Sequence, residues 1–332
     1  MSFRAAVVGV GHLGRHHARI YAQTPGVTLV AVADRDPARA AEVAKACGTR
    51  AVADYRELPD GLDGVSIAVP TAAHHETASH FLSRGVPVLV EKPMTRTSRE
   101  AESLVSLARE KGLHLQPGFV ERFNPAIRAA SAALKSPRYI EALRIAPLQF
   151  RSLDIGVVMD LMIHDLDIVL WLAGAPLASL ESVGVSVLTG SEDMVNARLR
   201  FANGCVADLT ASRVAMKTVR EIRVFQDDAY FSIDYAERRV KACRKRGAMD
   251  PKALAGLLAS GESPAALMAR FLEVVDVPIE EEEPLAAEIR AFIAAVRDGA
   301  VPVVTGEDAL GALRVAERIR AGLKPPAARE GA

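Results

Sequence analysis

The hydrophobic pattern over the first 120 residues alternates between two kinds of segment. Short apolar runs rich in β-branched residues are separated by longer amphipathic segments, an order that is typical of βαβ units on a parallel sheet. The predicted strands cover residues 4–8, 27–33, a short run near Ala51, 65–69, 86–90 and 114–116. This pattern predicts an N-terminal α/β domain with a doubly wound parallel sheet over residues 1–121.

Beyond residue 137 the chain changes to successive strands without helices between most of them. These strands are predicted at residues 140–145, 180–187, 196–201, 206–211, 221–225, 230–233 and 239–243. Two of the connections, Asn203-Gly204 and Asp227-Asp228, are interpreted as hairpin turns. Since hairpins join antiparallel strands, we expect a C-terminal α+β domain with an open, mostly antiparallel sheet over residues 122–332.

Helices of this second part are predicted at residues 157–173, near 265–274, at 284–296 and at 307–320. The basic cluster at 244–246 and the acidic run at 280–283 are interpreted as solvated surface. The most apolar of these helices, 157–173, contains three aspartates and a histidine, and the apolar run at 5–10 is too short for a signal peptide. We therefore expect no membrane segment.

The composition is that of a soluble globular protein and argues against several other classes. Of the 332 residues, 50% are hydrophobic and 25% are charged, and Lys plus Arg equals Asp plus Glu at 41 each. A net charge of zero argues against nucleic acid or a membrane surface as partner. Cys47, Cys205 and Cys243 lack C-x-x-C spacing, which argues against a disulfide scaffold and a metal site and indicates a reduced, cytoplasmic setting.

A glycine-rich turn follows the first predicted strand and opens a helix. The segment Gly9-Val10-Gly11-His12-Leu13-Gly14 is a G-x-G-x-x-G motif. In this motif the first glycine makes the tight turn, the second lets a pyrophosphate approach, and the third allows close helix–strand packing. We interpret Gly9, Gly11, His12, Leu13 and Gly14 as a cofactor-binding turn of a Rossmann domain. The alternative is a glycine-rich turn in a nucleotide-free α/β protein.

The end of the second predicted strand bears on the choice of cofactor. Asp34 lies 20 residues after Gly14, where a carboxylate accepts hydrogen bonds from the adenosine ribose. Because its charge would repel a 2′-phosphate, NAD is favoured over NADP. Arg35 weakens this preference, since a guanidinium can stack on adenine or pair with a 2′-phosphate.

Polar residues also follow the fourth and fifth predicted strands, at the edge where doubly wound sheets bind ligands. We interpret five of them as cofactor-binding: Pro70, Thr71, His74, Glu91 and Lys92. Lys92 lies between a strand end and a proline, where the nicotinamide is expected. The alternative is an ordinary surface lysine.

The predicted helix at 157–173 combines an apolar composition with polar residues at helical spacing. Asp160, His164 and Asp167 recur at i, i+4 and i+7, and they would lie within roughly 60° of one another around an α-helix. An aspartate one turn before a histidine can fix its tautomer and raise its basicity, which suits a general base. The alternative is a satisfied polar network at a domain interface.

In combination, these motifs resemble the Gfo/Idh/MocA family of oxidoreductases over essentially the whole chain. The resemblance rests on the order and spacing of the glycine motif, Val69-Pro70-Thr71 with His74, Glu91-Lys92-Pro93, Asp160-Leu161-Met162-Ile163-His164 and Thr305-Gly306-Glu307-Asp308-Ala309. It implies a Rossmann domain, an antiparallel sheet used in a homodimer or homotetramer, and C-terminal helices at about 284–321 that help join the domains.

The resemblance also implies NAD(P)-dependent oxidation or reduction of a sugar, cyclitol or related carbinol. By this resemblance, Lys92 hydrogen-bonds the reacting oxygen, His164 is the catalytic acid/base, and Asp160 is its partner, so that all three contact the substrate. The chain departs from many members in one respect. Only Gly156 precedes the Asp-x-x-x-His segment where those members have a glycine-rich stretch, so the mouth of the pocket is expected to differ.

The segments 118–125 and 160–165 look like those of members that oxidise the 3-hydroxyl of UDP-N-acetylglucosamine. Arg122 and Asn124 follow the sixth predicted strand and are candidate substrate ligands, and a guanidinium there could bind a phosphate or a sugar hydroxyl. The alternative for Arg122 is an interdomain salt bridge. The predicted function is an NAD-dependent nucleotide-sugar dehydrogenase. A dehydrogenase of a free sugar or inositol, or a non-catalytic NAD-binding sensor, is the alternative.

Overall fold

The computed structural model of the chain describes residues 2–148, 155–246 and 263–323. The chain divides into two compact units, of which the first comprises Met1–Phe123 and Glu282–Arg318, and the second Asn124–Glu281 and Ile319–Ala332. The first boundary lies close to the one predicted at 121. Residues 282–318, however, cluster with the N-terminal unit, whereas the sequence pattern had assigned them to the C-terminal domain.

The first unit contains a parallel sheet of six strands. They are β1 (Phe3–Val8), β2 (Val27–Ala33), β3 (Arg50–Val52), β4 (Gly64–Ile67), β5 (Val88–Glu91) and β6 (Leu115–Gly118). The helices between them are α1 (Gly14–Gln23), α2 (Pro37–Cys47), α3 (His74–Ser83) and α4 (Ser98–Lys111). The strand order β3-β2-β1-β4-β5-β6 confirms the doubly wound Rossmann sheet. It places the carboxyl ends of β1 and β4 side by side, at the switch point where such sheets bind ligands.

Local sequence rules explain where the helices of this unit begin and end. One carboxylate oxygen of Asp36 accepts hydrogen bonds from the amides of Ala38 and Arg39, at 3.0 and 3.2 Å, and Pro37 occupies the first helical position of α2. Gly48 ends α2 in the left-handed conformation.

A C-terminal helix, α8 (Pro284–Asp298), completes the core of the first unit. Its residues Ile289, Phe292 and Ile293 are buried in the same apolar cluster as Phe3. The rings of Phe3 and Phe292 meet edge to face with their centroids 6.4 Å apart. A Cβ at Gly64 would lie 2.7 Å from the Phe292 ring, so a glycine in β4 makes room for this helix.

The described residues of the second unit form a sheet of eight strands in the order β14-β13-β12-β11-β7-β10-β9-β8. They are β7 (Tyr139–Ile145), β8 (Leu177–Val185), β9 (Met194–Phe201), β10 (Val206–Ser212), β11 (Val219–Gln226), β12 (Ala229–Asp234), β13 (Arg239–Lys245) and β14 (Leu272–Asp276). Neighbours are antiparallel except β7 and β10, which are parallel. The mostly antiparallel sheet is confirmed. The two predicted hairpin turns join β9 to β10 and β11 to β12.

The described helices of this unit are α5 (Pro125–Ala133), α6 (Ile163–Ala173) and α7 (Pro264–Phe271). The predicted helix near 265–274 was partly wrong, because residues 272–276 form β14 and pair with β13. The β-branched pair Val274-Val275 favours this extended conformation. A last helix, α9 (Gly306–Gly322), contains the sequence boundary between the two units.

Within residues 2–148, 155–246 and 263–323, no helix has both the length and the apolar composition that crossing a membrane requires. Over the same described residues, His, Cys, Asp and Glu side chains form no group of three or more that could hold a metal ion.

Candidate active site

The glycine turn adopts the conformation that its motif predicts. Gly9 has a φ of +82°, in the left-handed region that favours glycine. A Cβ at Gly9 would lie 2.7 Å from the backbone nitrogen of Val69, which follows β4, and a Cβ at Gly14 would lie 1.8 Å from the carbonyl oxygen of Gly9. The first and third glycines therefore allow close approach between β1, β4 and the start of α1.

The second glycine of the motif faces open space instead. A Cβ at Gly11 would meet no protein atom within 4 Å, while His12 and Leu13 expose their side chains beside it. A dinucleotide pyrophosphate requires open space beside this turn and the backbone amides at the start of α1. The residues present thus fit a bound dinucleotide, held by the turn from Gly9 to Gly14.

Asp34, which follows β2, has a structural as well as a candidate cofactor role. Its carboxylate accepts hydrogen bonds from the backbone amides of Val10 and Asp36, both at 2.9 Å. The guanidinium of Arg39 approaches it at 3.4 Å, while Arg35 is exposed. The carboxylate is therefore fixed beside the glycine turn, where a ribose hydroxyl could reach it.

Lys92 follows β5 directly and is half-buried. Its neighbour Glu91 is 8% exposed, and the carboxylate of Glu91 accepts hydrogen bonds from His17 Nε2 at 3.0 Å and from the Lys92 amide at 3.1 Å. Burial acts to raise the pKa of Glu91, but the hydrogen bonds and charges of His17 and Lys92 together outweigh it, so the pKa of this carboxyl lies below its ordinary value. Glu91 is predicted to bind cofactor, yet its carboxylate contacts α1.

Pro70 and Thr71 are accessible at the end of β4, where Thr71–Ala73 form a short 3₁₀ turn. His74 differs from them, because it is 1% exposed and both its ring nitrogens contact backbone carbonyls, Nδ1 that of Pro93 at 2.9 Å and Nε2 that of Val69 at 2.8 Å. Both polar atoms of His74 are thus engaged within the protein. This placement favours a structural role over the predicted cofactor contact.

The two residues predicted to bind substrate after the sixth strand are both buried. Arg122 lies in a 3₁₀ turn, Val120–Phe123, and its guanidinium is 3.9 Å from Asp308, in the same unit. Asn124 caps α5 by accepting a hydrogen bond from the amide of Ala126 at 3.1 Å, and its Nδ2 donates to the carbonyl of Tyr235 at 3.0 Å. Asn124 is therefore better explained as a structural residue than as a substrate ligand.

The segment that carries Asp160 and His164 is not a regular α-helix throughout. Val158–Met162 form a π-helical turn that continues into α6. The wider π turn changes the angles between side chains, so the ideal α-helical spacing used in the prediction is wrong for Asp160. Asp160 and His164 are half-buried, whereas Asp167 is 1% exposed. π turns within helices are frequent at functional sites.

A buried ion pair anchors α6 to the sheet of the second unit. Arg144, at an inward-facing position of β7, donates to both carboxylate oxygens of Asp165 at 2.9 and 3.1 Å. The hydroxyl of Tyr235 also donates to Asp165. Asp165 directly follows His164, so this network holds the backbone of the proposed acid/base. The only sequence signals of this network were the inward-facing Arg144 and the additional aspartate next to His164 in an apolar helix.

A second buried network holds the chain just before the π turn. Asp193 Oδ2 accepts hydrogen bonds from three consecutive amides, those of residues 187–189, at 2.6 to 2.9 Å. Arg213 donates to Asp193 Oδ1 at 2.8 Å and to the carbonyl of Ile155 at 2.7 Å. Burial acts to raise the pKa of Asp193, but these donors outweigh it and lower the pKa well below its ordinary value. No local sequence signal indicated this contact.

Lys92 and the glycine turn belong to the first unit, while Asp160 and His164 belong to the second. Two family models match successive parts of the chain. Residues 3–119 match the oxidoreductase family with an NAD-binding Rossmann fold, and residues 137–232 match the Gfo/Idh/MocA C-terminal domain.

The chain is also similar to individual characterised proteins. It is 40% identical over 294 residues, 88% of each chain, to UDP-N-acetylglucosamine 3-dehydrogenase of Acidithiobacillus ferrooxidans. A solved structure of that enzyme superimposes with a TM-score of 0.87 and covers 97% of this chain and 98% of its own. The NAD⁺-dependent scyllo-inositol 2-dehydrogenase of Bacillus subtilis is 28% identical over 325 residues, 92% of this chain and 90% of its own. The chain belongs to the Gfo/Idh/MocA family of oxidoreductases.

Proposed function

We propose that the chain is an NAD-dependent dehydrogenase that oxidises the 3-hydroxyl of UDP-N-acetylglucosamine, or of a related nucleotide sugar, to a ketone. The observation that carries this proposal is the 40% identity to a UDP-N-acetylglucosamine 3-dehydrogenase over 88% of both chains. The B. subtilis inositol dehydrogenase is 28% identical over a similar share of the chain. The higher identity to the nucleotide-sugar enzyme favours a nucleotide sugar over an inositol as the substrate.

The proposed reaction assigns one role to each of three residues. His164 accepts the proton of the reacting hydroxyl at a ring nitrogen, and Asp160 orients and supports this imidazole. The Lys92 ammonium donates a hydrogen bond to the same oxygen and stabilises the negative charge that develops there. When bound, NAD supplies the hydride acceptor. The half-burial of all three residues supports these roles, because such groups remain reachable by a ligand.

NAD is proposed over NADP because of Asp34. Its carboxylate is held by two backbone amides, so it cannot easily turn away from a 2′-phosphate. A fixed negative charge at the adenosine ribose disfavours NADP by repulsion and accepts hydrogen bonds from the free ribose hydroxyls of NAD.

A substrate panel tests the proposed function. Purified protein is incubated with NAD or NADP and with UDP-sugars, free hexoses or inositols, and NADH or NADPH is followed by absorbance. We expect turnover with UDP-N-acetylglucosamine and NAD, with competitive inhibition by UDP. Turnover of a free sugar or inositol without inhibition by UDP would instead support the alternative dehydrogenase. Tight NADH binding without any turnover would support a sensor.

Two substitutions test the residue roles within the same assay. Lys92→Ala and His164→Ala should each lower kcat by about 100-fold or more, since each removes a general acid–base or electrostatic contribution. The NADH dissociation constant should change little. Lys111→Ala, at the exposed end of α4, is the control and should leave kcat unchanged. Retained activity in both test variants would contradict the assignment.

A further inference from the structure

Two buried histidines contact the residues that precede and follow Lys92 in the sequence. His17 is on α1 and His74 is the first residue of α3. Their exposed fractions are 0% and 1%, so neither can contact a ligand directly. Each is bonded instead to a residue adjacent to Lys92, and all of these contacts lie within the first unit.

His17 holds the residue before Lys92. The Glu91 carboxylate receives hydrogen bonds from His17 Nε2 and from the Lys92 amide. A Cβ at Gly118 would lie 3.1 Å from Glu91 atoms, so β6 also approaches the carboxylate closely. The carboxylate thus has little freedom to move, and it links the helix after the glycine turn to the backbone of Lys92.

Burying His17 for packing alone would be costly. Its Nδ1 has no hydrogen-bond partner among the residues that the structure describes, and a buried polar atom in that state is unfavourable. An aliphatic side chain would fill the same space without this cost. The contact with Glu91 is therefore the property that distinguishes a histidine at this position.

His74 holds the residue after Lys92. Its Nδ1 lies 2.9 Å from the carbonyl oxygen of Pro93, and its Nε2 lies 2.8 Å from that of Val69. Burial lowers the pKa of His74 and outweighs the opposing effect of the two carbonyls, which favours the neutral ring. Since a neutral imidazole carries a proton on only one nitrogen, His74 donates a hydrogen bond to only one of these two carbonyls.

We propose that His17 and His74 are positioning residues for Lys92. His17 acts through Glu91 on the backbone before the lysine, and His74 acts through the contact of its Nδ1 with the Pro93 carbonyl on the backbone after it. Between them they fix the direction in which the Lys92 side chain leaves the sheet. An error of about 1 Å in the placement of a reacting group can lower a rate by about 100-fold. This inference rests on the proposed role of Lys92.

Two isosteric substitutions of His74 separate its contacts. His74→Asn keeps an N–H donor near the position of Nδ1, facing Pro93, whereas His74→Gln keeps one near Nε2, facing Val69. We expect His74→Asn to retain kcat within about threefold of the wild type. His74→Gln should lower kcat by about tenfold or more, with the KM for NAD and the NADH dissociation constant unchanged. His75→Gln, on the partly exposed neighbour of His74, is the matched control.

The contact of His17 is tested in the same way. His17→Gln keeps a donor to Glu91 and should retain most of kcat, while His17→Leu removes the donor and should lower kcat by about tenfold or more. The exposed neighbour His16 provides the control, His16→Leu. Urea midpoints establish that each variant is folded, and if His17→Leu does not fold, the two His74 variants decide the question.

A second readout does not depend on a substrate. The rate at which acetic anhydride acetylates Lys92, measured by peptide mass spectrometry, reports the surroundings of its ammonium. We expect this rate to change in His74→Gln and His17→Leu but not in His74→Asn, His17→Gln or the two controls. Equal kcat and equal acetylation in His74→Asn and His74→Gln would overturn the inference. If no sugar is oxidised, the proposed function fails, and the acetylation rates alone decide whether the histidines position Lys92.

Discussion

Asp34 supports the fold, and it is also the residue to which we assign the proposed choice of cofactor. Its carboxylate supports the turns after β1 and β2 through the amides of Val10 and Asp36. Arg39, at 3.4 Å, partly offsets its charge but leaves the carboxylate beside the glycine turn. An asparagine at this position removes the charge and keeps one of these two backbone hydrogen bonds, because its amide oxygen replaces only one carboxylate oxygen.

Asp34→Asn should shift the preference between cofactors toward NADPH. The amide oxygen still accepts a backbone hydrogen bond, while the charge that repels a 2′-phosphate is lost. We expect the ratio of the NADPH to the NADH dissociation constant to fall by about tenfold, which corresponds to about 1.4 kcal/mol. Fluorescence titration of the bound nicotinamides measures both constants. The N-cap variant Asp36→Asn is the control, and an unchanged ratio in Asp34→Asn would contradict the role given to this charge.

At the scale of the element, α6 depends on the ion pair between Arg144 and Asp165. Arg144→Met leaves the Asp165 carboxylate buried without its guanidinium, which should cost about 3–5 kcal/mol of the free energy of unfolding. Arg223, on the adjacent strand β11, forms an exposed ion pair with Glu141, so Arg223→Met should cost less than about 1 kcal/mol. Urea denaturation compares the two, and equal losses would show that the buried pair does not anchor the helix.

The contact between Asp193 and Arg213 predicts a particular pH dependence of stability. Because the pKa of Asp193 is lowered by folding, its contribution is fully present above the pKa of the unfolded chain, about 3.9, and is lost as the pH falls through the folded value. The difference in unfolding free energy between wild type and Asp193→Asn should be constant from pH 7 to about 5 and shrink at lower pH. Urea titrations at several pH values test this, and a difference that grows on acidification would contradict it.

Much of the architecture could be predicted because it follows local rules. The alternation of apolar runs with capped helices indicates β1 to β6, and Asn203-Gly204 marks the hairpin of β9 and β10 without reference to distant residues. The parallel pairing of β7 with β10 and the strand β14 could not be predicted in this way. Both depend on partners that are remote in the sequence.

The candidate site was predicted less completely, for a related reason. The sequence identifies polar residues near strand ends but not the direction in which each side chain points. Asn124 and His74 were expected to face a ligand, yet their polar atoms bond to the carbonyls of Tyr235, Pro93 and Val69. The positions of those carbonyls are set by the folded chain. Gly9 and Gly14, in contrast, are needed for backbone conformation and close packing, and the G-x-G-x-x-G motif indicates both directly.

At the scale of the whole molecule, the second unit has an open sheet face with exposed apolar side chains. Val183, Val185 and Phe225 are 59%, 50% and 39% exposed. Following the register from β8 through β9, β10 and β7 to β11 places all three on the same face. β8 and β11 are four strands apart, so the face carries two separate sites of exposed apolar side chains. Such sites favour an interface with another chain.

We predict from this face that the protein is a homodimer or homotetramer. Light scattering should give a mass two or four times the 35.5 kDa of the chain. Phe225→Glu should weaken the assembly, because it places a charge on the proposed interface. Met216→Glu, at a fully exposed residue between strands, should not. A monomeric wild-type protein would contradict the prediction.

The two units contribute different parts of the proposed reaction. The first carries the glycine turn, Asp34 and Lys92, and the second carries Asp160 and His164. Neither unit holds the full set of proposed catalytic residues. We therefore propose that the intact chain moves a hydride from a sugar carbon to a nicotinamide.

Isotope transfer from the substrate to the cofactor tests this hydride transfer. The intact protein is incubated with NAD and UDP-N-acetylglucosamine deuterated at C3, and the reduced cofactor is analysed by mass spectrometry. We predict that the NADH formed carries the deuterium and that its formation is slower than with unlabelled substrate. Formation of unlabelled NADH would contradict oxidation at C3, and the absence of any NADH from this substrate would contradict the proposed function.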